Sequence, residues 1–375
     1  MKKKGYYIHL ELHRTQAGVR QKIDGQIAVL RRHFDVTEID VKKQKINVIQ
    51  GIISRLPFGS YAMDYDAAFA QIDEPDFVYM RHTSVDLRYY NFLKRIRNTY
   101  PNAKILVEIP TYPYVGELLV SKTMWPFYFK DIYRRNRLKR VVDKIVTFTK
   151  DDAIFGIPTI RTQNGIVVDN IIPVKNQNEN RAEIHLIAVS VCMPSHGYER
   201  CIRGLADYYR KQDTHCKTVL LHMVGDGDEL GRYKRLVKRN GLERYVRFYG
   251  KKTGKELDAI YDKADVALGV FGLYKVKVNV CSPLKTKEYL SKGLPVISGF
   301  HEDSFEGGNV DFYLEFANDD SNVEIGKIVE FYDGLLEKYH SKKALRDEIR
   351  TFAKENVDMS IAMEPVIHYI DDTNQ

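Results

Sequence analysis

Residues 282–297 read Ser-Pro-Leu-Lys-Thr-Lys-Glu-Tyr-Leu-Ser-Lys-Gly-Leu-Pro-Val-Ile, a helix start, a helix stop and the entry to a strand in sixteen residues. Ser282 suits an N-cap and Pro283 the first helical position. Gly293 suits the residue just past the helix, and Leu294-Pro295 ends it before an apolar run. A helix that begins this way offers unpaired backbone N–H groups and the positive end of its dipole, which together suit a diphosphate. Lys285 adds a positive charge there, with Leu284 and Thr286 in the same turn. Glu288 lies a turn and a half in, where a carboxylate can accept from ribose hydroxyls. A capped surface helix with a solvated glutamate is the plainer reading of the same residues.

Outward from this unit, short apolar runs alternate with helical patterns along the chain. The runs are Tyr6–Leu10, Phe77–Met80, Lys104–Ile109 and Lys144–Phe148, then His185–Val191, Val219–Val224, Tyr245–Tyr249, Val266–Val270 and Pro295–Ser298. Leu257, Ile260, Tyr261 and Ala264 show the i, i+3, i+4, i+7 spacing of an amphipathic helix. Strand–helix alternation implies parallel sheets covered by helices, so both halves read as doubly wound, Rossmann-like α/β domains. Pro173 to Arg181 is polar and aperiodic, and is expected to be a linker without a core residue. The expected domains are 1–175 and 176–350, with a last helix in 351–375 packing back on the first. Ligands in such folds bind at the carboxyl ends of the strands, here across a cleft.

Composition narrows the classes. With 375 residues, 44% hydrophobic and 29% charged, the chain has the make-up of an ordinary globular protein. No apolar run approaches the roughly 20 residues of a spanning helix. The basic start Met1-Lys2-Lys3-Lys4 resembles a leader, but its apolar stretch ends at Glu11 and His13, so a cytoplasmic protein is expected. Cys192, Cys201, Cys216 and Cys281 form no C-x-x-C pair. Residues 1–180 hold 29 Lys and Arg against 19 Asp and Glu, whereas residues 181–375 hold 29 against 31. All the excess basicity lies in the first half, as expected of a half facing a membrane surface or a polyphosphate, or of a basic surface without a partner.

Several segments together resemble retaining GT-B glycosyltransferases of the large fourth sequence family. The segment from Ser282 is similar to that family's donor helix, where an E-x7-E signature runs into G-L-P-V-I. Glu288 matches the second glutamate, which implies a hold on the nucleotide ribose; Val280 stands at the first, which contacts the donor sugar. Gly225 and Asp226 lie in Val224-Gly225-Asp226-Gly227-Asp228-Glu229-Leu230, similar to the family's V-G-D-G-x-E-L turn. Gly250 ends Val246-Arg247-Phe248-Tyr249-Gly250, similar to its V-x-F-x-G strand end. Leu257 to Val266 resembles its L-x-x-x-Y-x-x-A-D-V helix, and Asn164-Gly165-Ile166 its interdomain turn. Aligned to G-R-x-x-x-x-K-G, the Arg position holds Val191 and the Lys position His196, before Gly197. The string His196-Gly197-Tyr198-Glu199-Arg200 resembles a bacterial polysaccharide sub-branch that also carries S-x-L-K-x-x-E-Y. Arg200 is therefore expected on the donor phosphate, where a guanidinium can hold two oxygens. A surface Arg paired with Glu199 or Asp207 is the alternative. His196 is either a neutral donor to phosphate or a loop residue.

In the first half, Gly18 enters a helix after the first strand and is expected to line the ligand edge, or to be an ordinary turn glycine. Glu108 follows the strand Lys104–Val107 in Glu108-Ile109-Pro110-Thr111-Tyr112-Pro113-Tyr114, with Glu117 beyond. It is the expected contact to the donor sugar or the acceptor hydroxyl, unless loop amides satisfy it. Trp125 to Val141 is aromatic at one end and basic at the other. It suits either an anionic phospholipid surface or a domain helix with Phe129, Ile132 and Tyr133 in the core. Asp64-Tyr65-Asp66 and Asp226-Gly227-Asp228 spell D-x-D, but no metal and no other cofactor is expected, and no nucleic-acid module is visible. The resemblance implies transfer of a sugar from a nucleoside-diphosphate sugar to a saccharide hydroxyl, lipid-linked by expectation, at the inner face of the membrane. It assigns Glu108, Arg200 and Lys285 to the reaction. A non-catalytic GT-B partner subunit and a nucleotide-sugar epimerase remain open.

Overall fold

The computed structural model describes residues 2–12, 17–56, 59–82, 84–109, 112–114, 125–175, 182–211, 217–278, 280–302, 305 and 310–372. The chain divides into two compact units, Met1–Gly165 with Met359–Gln375, and Ile166–Asp358. Both are α/β, each around a parallel sheet.

The first unit holds β1 (Lys4–Leu10), β2 (Asp35–Val41), β3 (Phe77–Arg81), β4 (Lys104–Ile109), β5 (Lys144–Thr147), β6 (Ala153–Ile154) and β7 (Ile157–Arg161), in the order β2-β1-β3-β4-β5-β7-β6. Only the β6–β7 pair is antiparallel. β3 and β4 are covered on both faces and read as continuous apolar runs. β2 escaped the sequence reading because this edge strand, Asp-Val-Thr-Glu-Ile-Asp-Val, has only Val36, Ile39 and Val41 as apolar residues, neither a continuous run nor a strict alternation. Helix Leu87–Thr99 starts where the Asp86 carboxylate accepts from Tyr89 N–H at 2.8 Å. It buries Tyr89, Phe92, Leu93 and Ile96. The chain's last helix, Met359–Asp371, buries Met363, Val366 and Ile370. Lys3 and Lys104 fasten it by donating to Ile370 O (2.6 Å) and Tyr369 O (2.7 Å).

The second unit holds β8 (Glu183–Val189), β9 (Thr218–Val224), β10 (Val246–Phe248), β11 (Val266–Leu268), β12 (Val280–Cys281), β13 (Val296–Ser298), β14 (His301–Glu302) and β15 (Tyr313–Glu315). Its main sheet runs β10-β9-β8-β11-β13-β15, and β12 pairs with β14 apart from it. Ile166, Val168 and Val174 belong to this unit's core, so the unit begins ahead of the polar stretch. Of that stretch, residues 176–181 lie outside the described residues. Contrary to the expectation of a linker without a core residue, Val174 is buried and its N–H donates to Lys292 O at 3.0 Å.

Candidate functional site

Because β8, β9, β10 and β11 are parallel, the loops after them all leave from one edge of the second sheet. All four of these loops are sewn together through their backbones. Cys192 N–H donates to Asp226 O and Gly225 N–H to Gly250 O, each at 2.8 Å, while Phe271 N–H reaches His196 O at 2.8 Å. Two glycines permit that closeness. Gly225 has φ 130°, and a Cβ on it would lie 1.8 Å from Ser190 O. Gly197 has φ 65°, and its Cβ would meet Gly272 N at 2.5 Å.

The helix beginning at Leu284 docks on this edge. Tyr289 is fully buried, and its hydroxyl accepts from Val189 N–H at 3.0 Å at the end of β8. The helix runs Leu284–Ser291 and is stopped by Gly293 in the left-handed region, with Leu294 N–H returning to Tyr289 O at 3.0 Å. Its start differs in detail from the sequence reading. Pro283 occupies the N-cap and no side chain caps the helix, because the Ser282 hydroxyl is turned to accept from Lys287 Nζ at 2.9 Å. Lys287 and Glu302, both wholly buried, form an ion pair beneath it.

Lys285, in the first turn, is half-buried, and Nζ donates to the Tyr198 hydroxyl at 3.2 Å. Burial pushes its ammonium down to about 7, only partly opposed by the negative character of Cys192 and Glu288. A cation in that state gains much from an arriving anion. Glu288 lies one turn on and accepts from Tyr261 OH at 3.0 Å. Burial raises its pKa, and the Tyr261 hydrogen bond works against that rise. Leu284 is half-buried, and Thr286 is buried with no hydrogen-bond partner for its hydroxyl among the described residues. His196 Nδ1 accepts from Met193 N–H at 3.3 Å. Burial, then the nearby Lys285 charge, lowers its pKa to about 3, a backbone hydrogen bond at Val191 opposing, so the ring is neutral.

Other expected residues stand elsewhere. Arg200 is wholly buried, and its guanidinium donates to Phe271 O (2.9 Å), Ala317 O (2.9 Å) and Ser321 O (2.6 Å). Rather than facing a phosphate, it ties the loop after β11 to residues 317–321. Asp226 is exposed and accepts from Gly227 N–H at 2.8 Å. Of the other D-x-D triplet, Asp64 caps helix Tyr65–Phe69 and Asp66 pairs with Arg95 at 3.0 Å. Gly18 is the second residue of helix Ala17–His33, exposed and with open space around it. The residues 13–16 before it, with Pro110, Thr111 and Glu117, lie outside the described residues.

Glu108 is inside β4, not in the loop after it, and is fully buried. One carboxylate oxygen accepts from Lys22 Nζ and Arg81 at 3.0 Å each, the other from Gln26 and Tyr79 at 2.6 Å each. Burial alone would push its carboxyl up. Lys22, Arg81 and the two neutral donors outweigh that and hold it at about 2. Lys22 in turn is pushed down by burial to about 8, Glu108 opposing. The satisfying groups are side chains, not the loop amides of the sequence reading. Glu108 therefore locks helix Ala17–His33 to the sheet.

The sequence reading did not single out Tyr198 and Tyr261, which hold Lys285 and Glu288. Both lay inside quoted motifs. Only their burial and their hydroxyl contacts mark them as positioning groups.

No family model and no curated protein matches this chain. Solved structures do. It is similar over 100% of both chains to a glycosyltransferase from Rickettsia africae, with a TM-score of 0.62 at 12% identity. Anabaena HepE in complex with UDP and glucose matches over 98% of this chain and 99% of its own, with a TM-score of 0.60 at 13% identity. Sucrose-phosphate synthase from Thermosynechococcus elongatus matches over the same shares, with a TM-score of 0.62 at 13% identity. At such identities the likeness speaks for architecture, and that architecture is the GT-B fold: two doubly wound α/β units in one chain.

Proposed function

We propose that this chain is a glycosyltransferase, moving a sugar from a nucleoside-diphosphate sugar to a hydroxyl of a lipid-linked saccharide, with retention and without a metal. The observation that carries the reading is the start of helix Leu284–Ser291. There a half-buried Lys285 with its pKa near 7 and a Glu288 held by Tyr261 share one helix, packed on the loop edge of a parallel sheet. A departing diphosphate needs positive charge that is already in place. Lys285 and the helix dipole supply it, and an approaching diphosphate restores the lysine's proton. Glu288 suits the ribose hydroxyls. His196, neutral and already hydrogen-bonded to the Val191 backbone, adds no second cation. Gly197, Gly225 and Gly250 let the surrounding backbone close around the nucleotide. The HepE structure contains UDP and glucose, which supports a uridine nucleotide as the first donor to try.

Of the three residues first assigned to the reaction, Lys285 keeps that role. Arg200 shapes the loop after β11, and Glu108 shapes the first unit. Without a free Arg200, the partner-subunit reading gains some ground, because the countercharge then rests on Lys285 and the helix alone. Isothermal titration with UDP, GDP and ADP separates the readings. Binding of one of them in the micromolar range is expected, and absence of binding to all three would sink the transferase reading. Binding without donor turnover across a panel of nucleotide sugars and acceptors would favour the subunit.

A further inference from the structure

Helix Trp125–Arg134 is turned inside out. Lys130, Asp131 and Arg134 are buried, whereas Trp125, Phe129, Ile132 and Tyr133 are exposed in a row at i, i+4, i+7 and i+8. The core-facing alternative, with Phe129, Ile132 and Tyr133 inward, is not what the fold adopts. The polar side chains do the anchoring. Asp131 accepts from Val85 N–H and from Tyr114 OH, each at 2.8 Å. Lys130 donates to Ser54 O and lies 4.4 Å over the Tyr61 ring. Arg134 stacks against Tyr133.

Ser54 belongs to a second helix, Val48–Arg55, whose start is closed by a capping box between Asn47 and Gln50. This helix also turns its apolar residues outward. Val48, Ile49 and Ile52 are 81%, 68% and 59% exposed, with Ile46, Ile53 and Leu56 beside them. Ile49, Ile52, Ile53 and Leu56 make a stripe at helical spacing. The Lys130–Ser54 contact and the stack of Tyr61 on Phe127, 4.5 Å between centroids, place the two helices side by side. Large apolar residues so exposed on two adjoining helices exceed the scatter of an ordinary surface.

Charge decides what covers them. Residues 42–56 carry Lys42, Lys43, Lys45 and Arg55 and no acid. Residues 125–140 carry Lys130, Arg134, Arg135, Arg137, Lys139 and Arg140, and their single acid is the buried Asp131. We propose that these two helices form a docking face for an anionic phospholipid surface, the apolar stripes entering the headgroup region and the exposed Lys43, Lys45, Arg137, Lys139 and Arg140 beside them meeting lipid phosphates. A second copy of this chain would bring one basic face against another, which charge disfavours. The proposal rests on no sugar chemistry. Vesicle binding and nucleotide binding can fail independently.

Trp125 is the only tryptophan in the chain, so its fluorescence reports on this face alone. The full chain is mixed with phosphatidylcholine vesicles, with or without about 30% phosphatidylglycerol, enough to give the surface a negative potential, and sedimented. Anionic vesicles should shift the Trp125 emission to the blue and bind at least about ten-fold more protein than neutral ones, the excess vanishing at high salt. Ile49→Ser with Ile52→Ser should lower binding about ten-fold. Arg137→Glu with Arg140→Glu should do the same, with unchanged circular dichroism and UDP affinity in both cases. Equal binding to neutral vesicles, an unmoved Trp125 spectrum, or double variants that bind as before would overturn the proposal. So would a dimer in analytical ultracentrifugation that the isoleucine variants dissolve.

Discussion

Lys285 and Glu108 are both charged groups out of bulk water, and their environments treat them oppositely. Among the described residues Lys285 has only a tyrosine hydroxyl within hydrogen-bond reach, and it is pushed down to about 7. Glu108 has two cations and two neutral donors and is held at about 2. The first arrangement awaits a ligand; the second is complete. Lys285→Met should weaken UDP binding at least about ten-fold at pH 7, the cost of about one lost charged contact. The pH dependence has a definite sign. Above pH 7 the free lysine is neutral while the complex keeps it charged, so binding takes up a proton and affinity falls as pH rises toward the unperturbed value of about 10.4. Titration at pH 7 and 9 in two buffers of different ionisation enthalpy checks this, and Lys285→Met should abolish the difference.

The same contrast orders two alanine variants. Glu288→Ala should weaken nucleotide binding at a smaller stability cost, about 1–3 kcal/mol, since the buried Tyr261 OH loses its acceptor. Glu108→Ala should leave nucleotide affinity in the second unit unchanged but destabilise the first by about 3–5 kcal/mol, because the buried Lys22 and the half-buried Arg81 are left without their counter-ion. Thermal melts beside calorimetry read both, and the reverse order would overturn the assignment. Because its folded pKa is depressed, Glu108 contributes stability that is present above about pH 4.3 and is lost as pH falls toward 2. Glu108→Gln should flatten the acid limb of the stability curve.

At the scale of elements, the loops of the second sheet depend on backbone closeness that side chains would forbid. Gly225→Ala sets a Cβ 1.8 Å from Ser190 O at φ 130°. It should cost more than the roughly 1–3 kcal/mol of backbone strain alone and pull the loops after β8 and β9 apart. Circular dichroism melts should register the loss, and UDP affinity should fall with it. A fully stable Gly225→Ala that binds UDP normally would mean the nucleotide does not use this edge. Helix Leu284–Ser291 shows how far local signals reach. Its stop at Gly293 follows from one residue's conformational freedom and was legible in the sequence. Its start was read one residue early, because Ser282 found a partner in Lys287, and a buried Lys287–Glu302 pair has no local signature.

On the scale of the whole molecule, the chain returns to its first unit for its last helix. Met359–Asp371 buries Met359, Met363, Val366, Ile367 and Ile370. At about 1.5–3 kcal/mol for each large apolar side chain, their loss rivals the roughly 5–15 kcal/mol stability of a domain. A chain ending at Asp358 should therefore leave the first unit open to proteolysis while residues 166–358 still bind UDP. Limited digestion followed by calorimetry tests it. Survival of residues 1–165 as a resistant fragment would show that the helix is dispensable.

The sequence by itself determined the architecture. Strand runs, helix periods and the glycine at 293 are local properties, set by backbone sterics and side-chain spacing, and they specify two parallel-sheet units without knowledge of the fold. Edge strand β2 was missed for a local reason too, since its three apolar residues stand apart among polar ones and make no run. Only the tertiary structure decided which charges are free. Arg200 looked like a phosphate ligand until residues 317–321, more than a hundred positions away, closed over its guanidinium with their carbonyls. Glu108 looked like a site residue until Lys22, Gln26, Tyr79 and Arg81 converged on it. The reading of Trp125–Val141 as a helix with Phe129, Ile132 and Tyr133 in the core failed because Val85, Tyr114 and Ser54 hold Lys130 and Asp131 inward instead. A side chain's availability depends on what the rest of the chain brings within hydrogen-bond reach, which no short segment encodes.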